Sequence, residues 1–418
     1  MNSKFRFLSL LLLVLFLTQT SFATEPTLEE LRSRGPAGLK ALMAQYAGEI
    51  NRHIADPSLA SDEQWQQITT TLDAVAQQKN SYLSGLYWHT DIESARRASA
   101  ASGKPILSLR LLGKLTDEFS CANSRFFRTV LYSNAEVSAV LRDRFVLHWQ
   151  SVRPVPTVTI DFGDGRKLER TLTGNSIHYI LDSQGRPIDA LPGLYGPQAF
   201  LRGLTNAETF FKSLAGKNEQ QRNFMLRMYH DQQHNKISAA WTIDTEKIGG
   251  KKPKGFTIVP GTNGEAPALM IAPLAVTKAI TETTILRAMT AATEELGKIT
   301  DEDAWRKIAK LHASDAVLDD RSISLIKRQN PGLMEQEFAG LLQKFQELIA
   351  IDTVRNEYLL HSKLYTWLVR GPLRDDVEKL NEQVYAKLFL TPGSDPWLGL
   401  FSTDVYTALD NGGVVKPR

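Results

Sequence analysis

Apolar residues recur at three- and four-residue steps through much of this chain, which is the spacing of one face of an α-helix. In the stretch PAGLKALMAQYAGEINRHI the apolar positions are Leu39, Leu42, Met43, Tyr46 and Ile50. A second stripe begins just after Asp62, a residue type that commonly caps a helix. The pattern predicts an N-terminal helical region over residues 24–84.

The pattern changes over residues 85–205, where helical stretches alternate with short runs of branched apolar residues. DIESARRASAASGK predicts a helix with Asp91 as its N-cap and Gly103 at its end, and KPILSLRLL predicts a strand. FVLHWQSV and IHYILDSQGRPIDALPG predict three further strands, and GPQAFLRGL predicts a closing helix. We therefore expect an α/β domain with a central mixed sheet and flanking helices.

An inserted hairpin is predicted over residues 156–174. In VTIDFGDGRKLE a three-residue loop, Gly163-Asp164-Gly165, places Ile160 opposite Leu168. The aspartates lack the loop length and the closing glutamate of a calcium-binding loop, so we interpret them as turn residues.

Residues 206–418 return to helical spacing and predict a mainly helical C-terminal domain. The longest helical stretch is GLMEQEFAGLLQKFQELIAIDTVRNEYLLHSKLYTWLVRG, and IGGKKPKGFTIVPGTNGEAP interrupts the pattern as a loop or hairpin. Near the end, TPGSDPWLGL concentrates turn-forming residues before Trp397. We expect this segment to anchor the tail, with a binding loop as the alternative.

The first 23 residues are typical of a secretory signal peptide. Lys4 and Arg6 precede a short apolar run, and Ser21-Phe22-Ala23 places small residues at a cleavage site before Thr24. The alternative is a membrane anchor, but the apolar run is shorter than the ~20 residues that span a bilayer. No later segment is long and apolar enough to span either. The sequence therefore predicts a periplasmic or secreted protein without a membrane span after cleavage.

Charge gives no indication of a polyanionic partner. The formal net charge is +3, and loss of Lys4 and Arg6 with the leader lowers it to +1. A mature chain so close to neutral has no general electrostatic attraction to nucleic acid or to an anionic membrane.

Candidate chemistry centres on Cys121, the only cysteine of the chain. A single cysteine forms no internal disulfide, although export favours disulfides. In the stretch EFSCANSRFFRTVLYSNAEV, Cys121 stands at the start of a predicted helix, where unpaired N–H groups and the helix dipole favour a thiolate. The alternatives are a small buried residue that remains from an ancestral site and a metal or cofactor ligand.

From Tyr87 to Leu204, about 120 residues, the chain resembles the thioredoxin-like fold family. The closest likeness is a bacterial exported branch with a tryptophan, an alanine-rich helix and a Gly-Lys-Pro sequence before the first core strand. The residues that carry this likeness are Trp88, Asp91, Ala95, Ala98, Gly103, Lys104 and Pro105. CANSRFFRTVLYSNAEVSAVLRDRFV is similar to the active-site helix of that family, with Cys-x-x-Ser in place of Cys-x-x-Cys.

The resemblance implies a site and two readings of its function. Cys121 takes the position of the attacking cysteine and Ser124 that of the resolving one, while Ser120 replaces the usual tryptophan. The strand with Ser176, Ile177 and His178 takes the substrate-binding position, without the proline of the family. One hypothesis is thiol–disulfide exchange or mixed-disulfide capture with an exported protein or a small thiol. The alternative is a non-catalytic binding or assembly module on a degenerate thioredoxin scaffold.

Histidines offer two further candidates. His178 either reaches the thiol or is a hydrogen-bonded residue of the sheet. His230 and His234 have the i, i+4 spacing of paired metal ligands, but no third ligand or intervening glutamate accompanies them. We therefore expect neither a metal site nor a cofactor.

Overall fold

The structure is a computed structural model, and it describes residues 26–56, 59, 62–171, 174–253, 301–370, 376–389 and 408–409. The leader over residues 1–23, the segment TPGSDPWLGL and most of the predicted loop after Ile248 lie outside the described residues. Within the described part of the chain, no helix has both the length and the apolar composition needed to cross a bilayer.

Helices dominate the described residues. They are α1 Leu28–Ser33, α2 Pro36–Gln45, α3 Ala47–Ala55, α4 Glu63–Ala76, α5 Ser81–Ser84, α6 Ile92–Ser102, α7 Ala122–Phe126, α8 Ala135–Arg144, α9 Pro197–Ser213, α10 Glu219–Lys247, α11 Glu302–Leu311, α12 Asp320–Gln329, α13 Glu335–Arg355, α14 Ser362–Arg370 and α15 Val377–Lys387. Short helical turns of other types lie at Phe127–Leu131, Ala313–Ala316 and Asn356–His361. The strands are β1 Trp88–His89, β2 Ile106–Leu112, β3 Val146–Arg153, β4 Thr157–Asp161, β5 Lys167–Thr171, β6 Ser176–Leu181 and β7 Pro187–Pro192.

Five of these strands form one mixed sheet in the order β1-β3-β2-β6-β7. β3 pairs in parallel with β1 and β2, whereas β6 runs antiparallel to β2 and β7. Every residue of β2, β6 and β7 is buried, including the polar residues Arg110, His178 and Asp189, so these strands show no alternation of buried and exposed positions. The predicted central mixed sheet with flanking helices is confirmed.

Local sequence signals set several boundaries as expected. The carboxylate of Asp91 accepts the backbone N–H of Ser94 at 2.8 Å, and α6 ends where Gly103 takes a φ of +69°. The inserted hairpin pairs β4 with β5 as a separate two-stranded sheet, and Ile160 lies opposite Leu168 as predicted.

The sheet and the C-terminal helices share one hydrophobic core. A single cluster of buried apolar residues extends from Trp88 and the sheet to Trp305, Ile349 and Leu364 in the C-terminal helices. A smaller cluster unites the N-terminal helices and includes Leu325 of α12. Burial of this area is the main stabilising contribution to the fold, so the C-terminal helices are structural neighbours of the sheet rather than an independent appendage.

Candidate functional site

Cys121 is the N-cap of α7, at the end of the sheet where β2 stops. Its backbone N–H donates to the carbonyl of Leu112 at 3.3 Å, which ties the start of the helix to the last residue of β2. Its Sγ accepts the backbone N–H of Ser124 at 3.4 Å. The sequence placed the thiol correctly at a helix start, and the sulfur satisfies one of the N–H groups that a helix leaves unpaired there.

The sulfur is completely buried, with an exposed fraction of 0%. The segment that enters β6 lies directly over the first turn of α7. A Cβ added at Gly174 would lie 3.1 Å from the backbone N of Asn123, so a larger residue would require this contact to widen by a few tenths of an ångström. The Tyr385 hydroxyl of α15 donates to the carbonyl of Asn175 at 3.1 Å and holds the same segment in place. The thiol is therefore closed off where a substrate would approach.

Ser124 is also buried, and its side chain bonds away from the sulfur. Its hydroxyl donates to the Ser120 hydroxyl at 2.8 Å. The preceding loop is fixed by two arginines, one in α7 and one in the helical turn that follows it: Arg125 donates to the carbonyl of Ser120 at 2.7 Å, and Arg128 donates to the carbonyl of Asp117 at 3.0 Å. These cations bond backbone oxygens of the loop, so they hold the start of the helix in place.

The three predicted substrate-binding residues of β6 are all buried. Ser176 accepts a hydrogen bond from the Asn123 amide at 2.9 Å, and Ile177 lies in the core. His178 Nε2 lies 2.7 Å from the Tyr132 hydroxyl, and burial lowers the pKa of His178 to about 3. The structure thus brings this strand against α7, as expected, but these side chains contact other parts of the protein.

A cleft of about 600 Å³ runs along another face of α7, lined by Ala122, Arg125, Phe126 and Arg128 among others, and Cys121 does not line it. Helices α12 and α13 form its far wall, with Leu325 and Phe345. The rings of Phe126 and Phe345 are 5.4 Å apart, so apolar contact closes the base of this cleft rather than opening a path to the sulfur.

A second site, which the sequence reasoning missed, lies between β7 and the C-terminal helices. It is a cavity of about 280 Å³ whose lining includes Asp189, Tyr195, Arg202, Tyr229, Asp315, Glu357, Tyr358, His361 and Tyr365. Residues of β7, of the loop after it, and of α9 and α10 line this cavity. The π-helical turn Asn356–His361, which lies between α13 and α14, contributes further lining residues. Aliphatic side chains such as Leu191, Ile237 and Val354 also line it, but the charged groups among its lining set it apart from the core around Cys121.

Asp189 on β7 is the anchor of this cavity. Its Oδ2 accepts the hydroxyl of Tyr229 at 2.5 Å, and its Oδ1 accepts the hydroxyl of Tyr365 at 2.9 Å. Burial acts to raise the pKa of Asp189, but His361 and the tyrosine hydroxyl outweigh it, and the pKa is lowered overall. A buried carboxylate is tolerated only when it is paired and hydrogen-bonded in this manner.

His361 lies between two carboxylates. Its Nδ1 donates to Glu357 Oε2 at 3.0 Å, and its Nε2 is 3.8 Å from Asp189 Oδ1, beyond hydrogen-bond distance. Burial acts to lower the pKa of His361, but Glu357 and Asp189 outweigh it and raise the pKa to about 9. The imidazole is therefore a buried cation at neutral pH, and its Nε2 has no hydrogen-bond partner.

The π-helical turn Asn356–His361 positions these groups. The amide of Asn356 donates to the carbonyl of Leu194 at 2.7 Å, and a Cβ added at Gly193 would lie 2.6 Å from that amide nitrogen. Gly193 also has a φ of +85°, which favours glycine. Turns of this type are rare and frequently mark functional sites. The loop after β7 and the C-terminal helices are thus locked together at the cavity.

Other polar groups at and near the cavity make hydrogen bonds of their own. Arg202 forms two parallel hydrogen bonds with the Asp315 carboxylate, at 2.6 and 2.7 Å. His230 Nε2 donates to the carbonyl of Ile188 at 2.9 Å. The hydroxyl of Tyr195 is buried without a hydrogen-bond partner. In the part of the chain that the structure describes, no three His, Cys, Asp or Glu side chains are placed to hold a metal ion.

One sequence signal pointed to this cavity. In EYLLHSKLY, the residues Glu357, His361 and Tyr365 recur at four-residue steps, which places a carboxylate, an imidazole and a phenol on one helical face. The stripe is polar within an otherwise apolar helical pattern, and such a pattern indicates a buried polar network. Its partner Asp189 lies far away in sequence, in the strand segment PIDALP, and nothing in the sequence alone joins the two.

Comparison of this chain with family models, with curated proteins and with solved structures finds no match. Its function is therefore inferred from its own residues and their geometry.

Proposed function

We propose that this chain is an exported, non-catalytic small-molecule-binding protein built on a thioredoxin-like scaffold. The ligand site is the cavity between β7 and the C-terminal helices, and Cys121 is a structural helix cap. The supporting observation is the cavity itself, about 280 Å³ in volume, which brings the buried ion pair of Asp189 and His361 and the buried Tyr195 hydroxyl to one surface. Burying such groups is costly unless they are satisfied, and a bound molecule satisfies them.

The scaffold assignment is supported by the topology of the sheet. The order β1-β3-β2-β6-β7, with β1 to β3 parallel and the last two strands antiparallel, is what the thioredoxin-like resemblance implies once the inserted hairpin β4–β5 is set aside. A helix begins at Ala122, after the loop that follows β2, and Cys121 is its N-cap, as the same resemblance implies. A similar scaffold does not by itself imply a similar activity, because function depends on the residues of the site.

The monothiol redox hypothesis is less well supported by the geometry. A thiolate must reach a disulfide sulfur in line, and Cys121 has no exposed surface. The segment from Gly174 lies where an extended substrate would have to lie. A reactive Cys121 therefore requires that this segment and α15 move away.

Export is part of the same proposal. The leader predicts cleavage before Thr24 and a periplasmic or secreted mature chain. N-terminal sequencing of the protein recovered from the exported fraction tests this, and a retained Met1 in that fraction contradicts it.

The binding function is tested by a screen of chemically diverse small molecules that measures the thermal stability of the mature chain. Ligands that bind the native state raise the midpoint of unfolding. We expect hits that lose their effect in Ala240→Phe, which fills the cavity from α10, because Ala240 lines it. The matched control is Ala239→Phe, on the exposed side of the same helix. Absence of any hit, or hits that are insensitive to Ala240→Phe, contradicts the proposal.

A further inference from the structure

Positive charge is concentrated in the cleft of about 600 Å³ between α7 and helices α12 and α13. Of the residues that the structure describes, the cations Lys79, Arg125, Arg128 and Arg328 line this cleft together with one carboxylate, Glu118. Lys79 forms an ion pair with Glu118, whose side chain is exposed to water. The charged residues of the lining therefore sum to +3, whereas the mature chain as a whole carries only +1.

Arg128 is the buried member of this group, since the residue is 3% exposed. Its guanidinium donates to backbone carbonyls, those of Asp117 at 3.0 Å and of Leu115 at 3.5 Å, and its Nε is buried without a hydrogen-bond partner. Burial lowers the pKa of Arg128 to about 10, and the carboxylates of Glu118 and Asp73 oppose this shift without reversing it. The group is still a cation at neutral pH. Carbonyl oxygens solvate such a charge but do not neutralise it, so burying it remains costly.

Arg328 of α12 brings a second guanidinium whose hydrogen bonds also go to neutral oxygens. It donates to the hydroxyl of Tyr82 at 2.9 Å and to the carbonyl of His53. The one carboxylate among the described lining residues is already paired with Lys79. The charges of Arg128 and Arg328 are therefore not balanced by an anion within the cleft.

The far wall and the base of the cleft are apolar. Leu325 and Ile326 of α12 and Leu341 of α13 line the wall, and the ring of Phe126 meets that of Phe345 at the base. The volume is within the range of ligand sites, which combine apolar walls with a few placed polar groups. Fixed cations beside an apolar wall suit a molecule that has an anionic head and an apolar body.

We propose that this cleft binds a small amphipathic anion, whose head is a carboxylate or a phosphate. The head group lies among the arginines, where a guanidinium forms its strongest hydrogen bonds with such oxygens, and the body packs against α12 and α13. The site is separate from the cavity at Asp189, and this inference does not rest on the binding function proposed for that cavity.

The test is calorimetric titration of the mature chain near neutral pH with octanoate, octyl phosphate and the uncharged octanamide. We expect the better of the two anions to bind at least about tenfold more tightly than octanamide, and the ratio of the two anions identifies the head group. Acetate and inorganic phosphate, which lack the apolar body, should bind more weakly than their octyl counterparts. Equal affinities of octanamide and both octyl anions, or of the octyl anions and the small ions, overturn the inference.

Charge variants of the lining place the ligand. Arg128→Gln removes the buried cation, so we expect at least about tenfold weaker binding of the octyl anion. Gln329 is exposed and lines the cleft, so Gln329→Glu adds a carboxylate there with little change of shape, and at least about threefold weaker binding should result. The control is Gln336→Glu, which adds the same charge at an exposed position of α13 outside the lining and should leave the affinity unchanged.

Circular dichroism checks the fold of each variant. If Arg128→Gln does not fold, Gln329→Glu decides the question, and an unaltered affinity in that variant contradicts the placement of the anion. Ala240→Phe fills the other cavity and should leave binding of the octyl anion unchanged. Binding that is lost in Ala240→Phe and kept in Gln329→Glu assigns the anion to the cavity at Asp189, and the present inference is then wrong.

Discussion

Two fully buried histidines of this protein, His178 and His361, have opposite protonation states. His178 lies in the core beside α7, near Tyr132 and Phe127, and burial alone lowers its pKa to about 3. His361 lies beside Glu357 and Asp189, which raise its pKa to about 9. Both histidines are buried, so the difference between their pKa values comes from the carboxylates that neighbour His361. The core around His178 therefore holds an uncharged imidazole among aromatic rings, whereas the cavity holds a charged one between two carboxylates.

The largest expected effect comes from removing the anchor of the cavity. Asp189→Asn removes the negative charge opposite His361, and loss of one partner of a buried ion pair costs about 3–5 kcal/mol in unfolding free energy. We expect a loss near the low end of this range, since the single amide oxygen of asparagine still accepts from at least one of the two tyrosines. Urea unfolding measures it, with the exposed Asp231→Asn as control. A loss below about 1 kcal/mol shows that the charge of Asp189 has little structural role.

Gly193→Ala tests how tightly the cavity is locked. The substitution meets both an unfavourable φ and the side chain of Asn356, so we expect a loss of about 2–3 kcal/mol. Gly216→Ala has a similar φ and open space around its Cβ, so it isolates the conformational cost, about 1 kcal/mol. Equal losses in urea unfolding refute the steric lock at Asn356.

Cys121→Ala tests the structural role of the sulfur. It deletes a helix cap and a small buried group, for a loss of about 1–2 kcal/mol in unfolding free energy. Cys121→Ser restores an atom that can cap the helix, so we expect it to destabilise the protein less than Cys121→Ala does. Ligand binding in the cavity should be unchanged in both. A fall in ligand affinity would mean that the two regions are coupled.

The difference between His178 and His361 also predicts that the unfolding free energy falls with pH at both ends of the range, for opposite reasons. The folded pKa of His361 is above its unfolded value of 6.5, so its stabilising contribution is complete below pH 6.5 and is lost as pH rises through about 9. The folded pKa of His178 is below 6.5, so stability is lost as pH falls from 6.5 toward about 3. Unfolding free energies measured across pH check both limbs. His361→Gln should remove the alkaline limb and leave the acid limb; survival of the alkaline limb in that variant contradicts the assignment.

Tyr195→Phe should have the smallest effect on stability. Its hydroxyl is buried near the Glu357 carboxylate without a direct hydrogen bond, so its removal should leave the unfolding free energy unchanged or raise it by less than about 1 kcal/mol. The affinity for a ligand of the cavity should nevertheless fall, because one donor to the ligand is lost. A clear loss of stability with unchanged affinity would indicate that the hydroxyl serves the fold instead.

Local patterns predicted much of the fold. The Asp91 cap, the Gly103 stop and the Ile160–Leu168 register all depend on residues within a few positions of each other, where side-chain spacing and turn chemistry decide the outcome. The position of Cys121 at a helix start was predictable for the same reason.

Long-range contacts were not predictable in this way. Burial of Cys121 depends on Gly174 and on Tyr385, which belongs to a helix much later in the chain. The cavity likewise joins Asp189 to His361 across the whole C-terminal region. Composition and periodicity give no distances between segments that lie far apart in the chain. The sequence therefore predicted the position of the thiol but not the existence of the cavity.

The accessibility of Cys121 is tested most directly by the rate of its alkylation by iodoacetamide in the folded protein, measured by mass spectrometry across neutral pH. If the sulfur is a buried cap, labelling should proceed only as fast as the chain unfolds, and addition of denaturant should expose it fully. Rapid labelling of the native protein below pH 7 would contradict this and would return the thiol to the centre of the protein's chemistry.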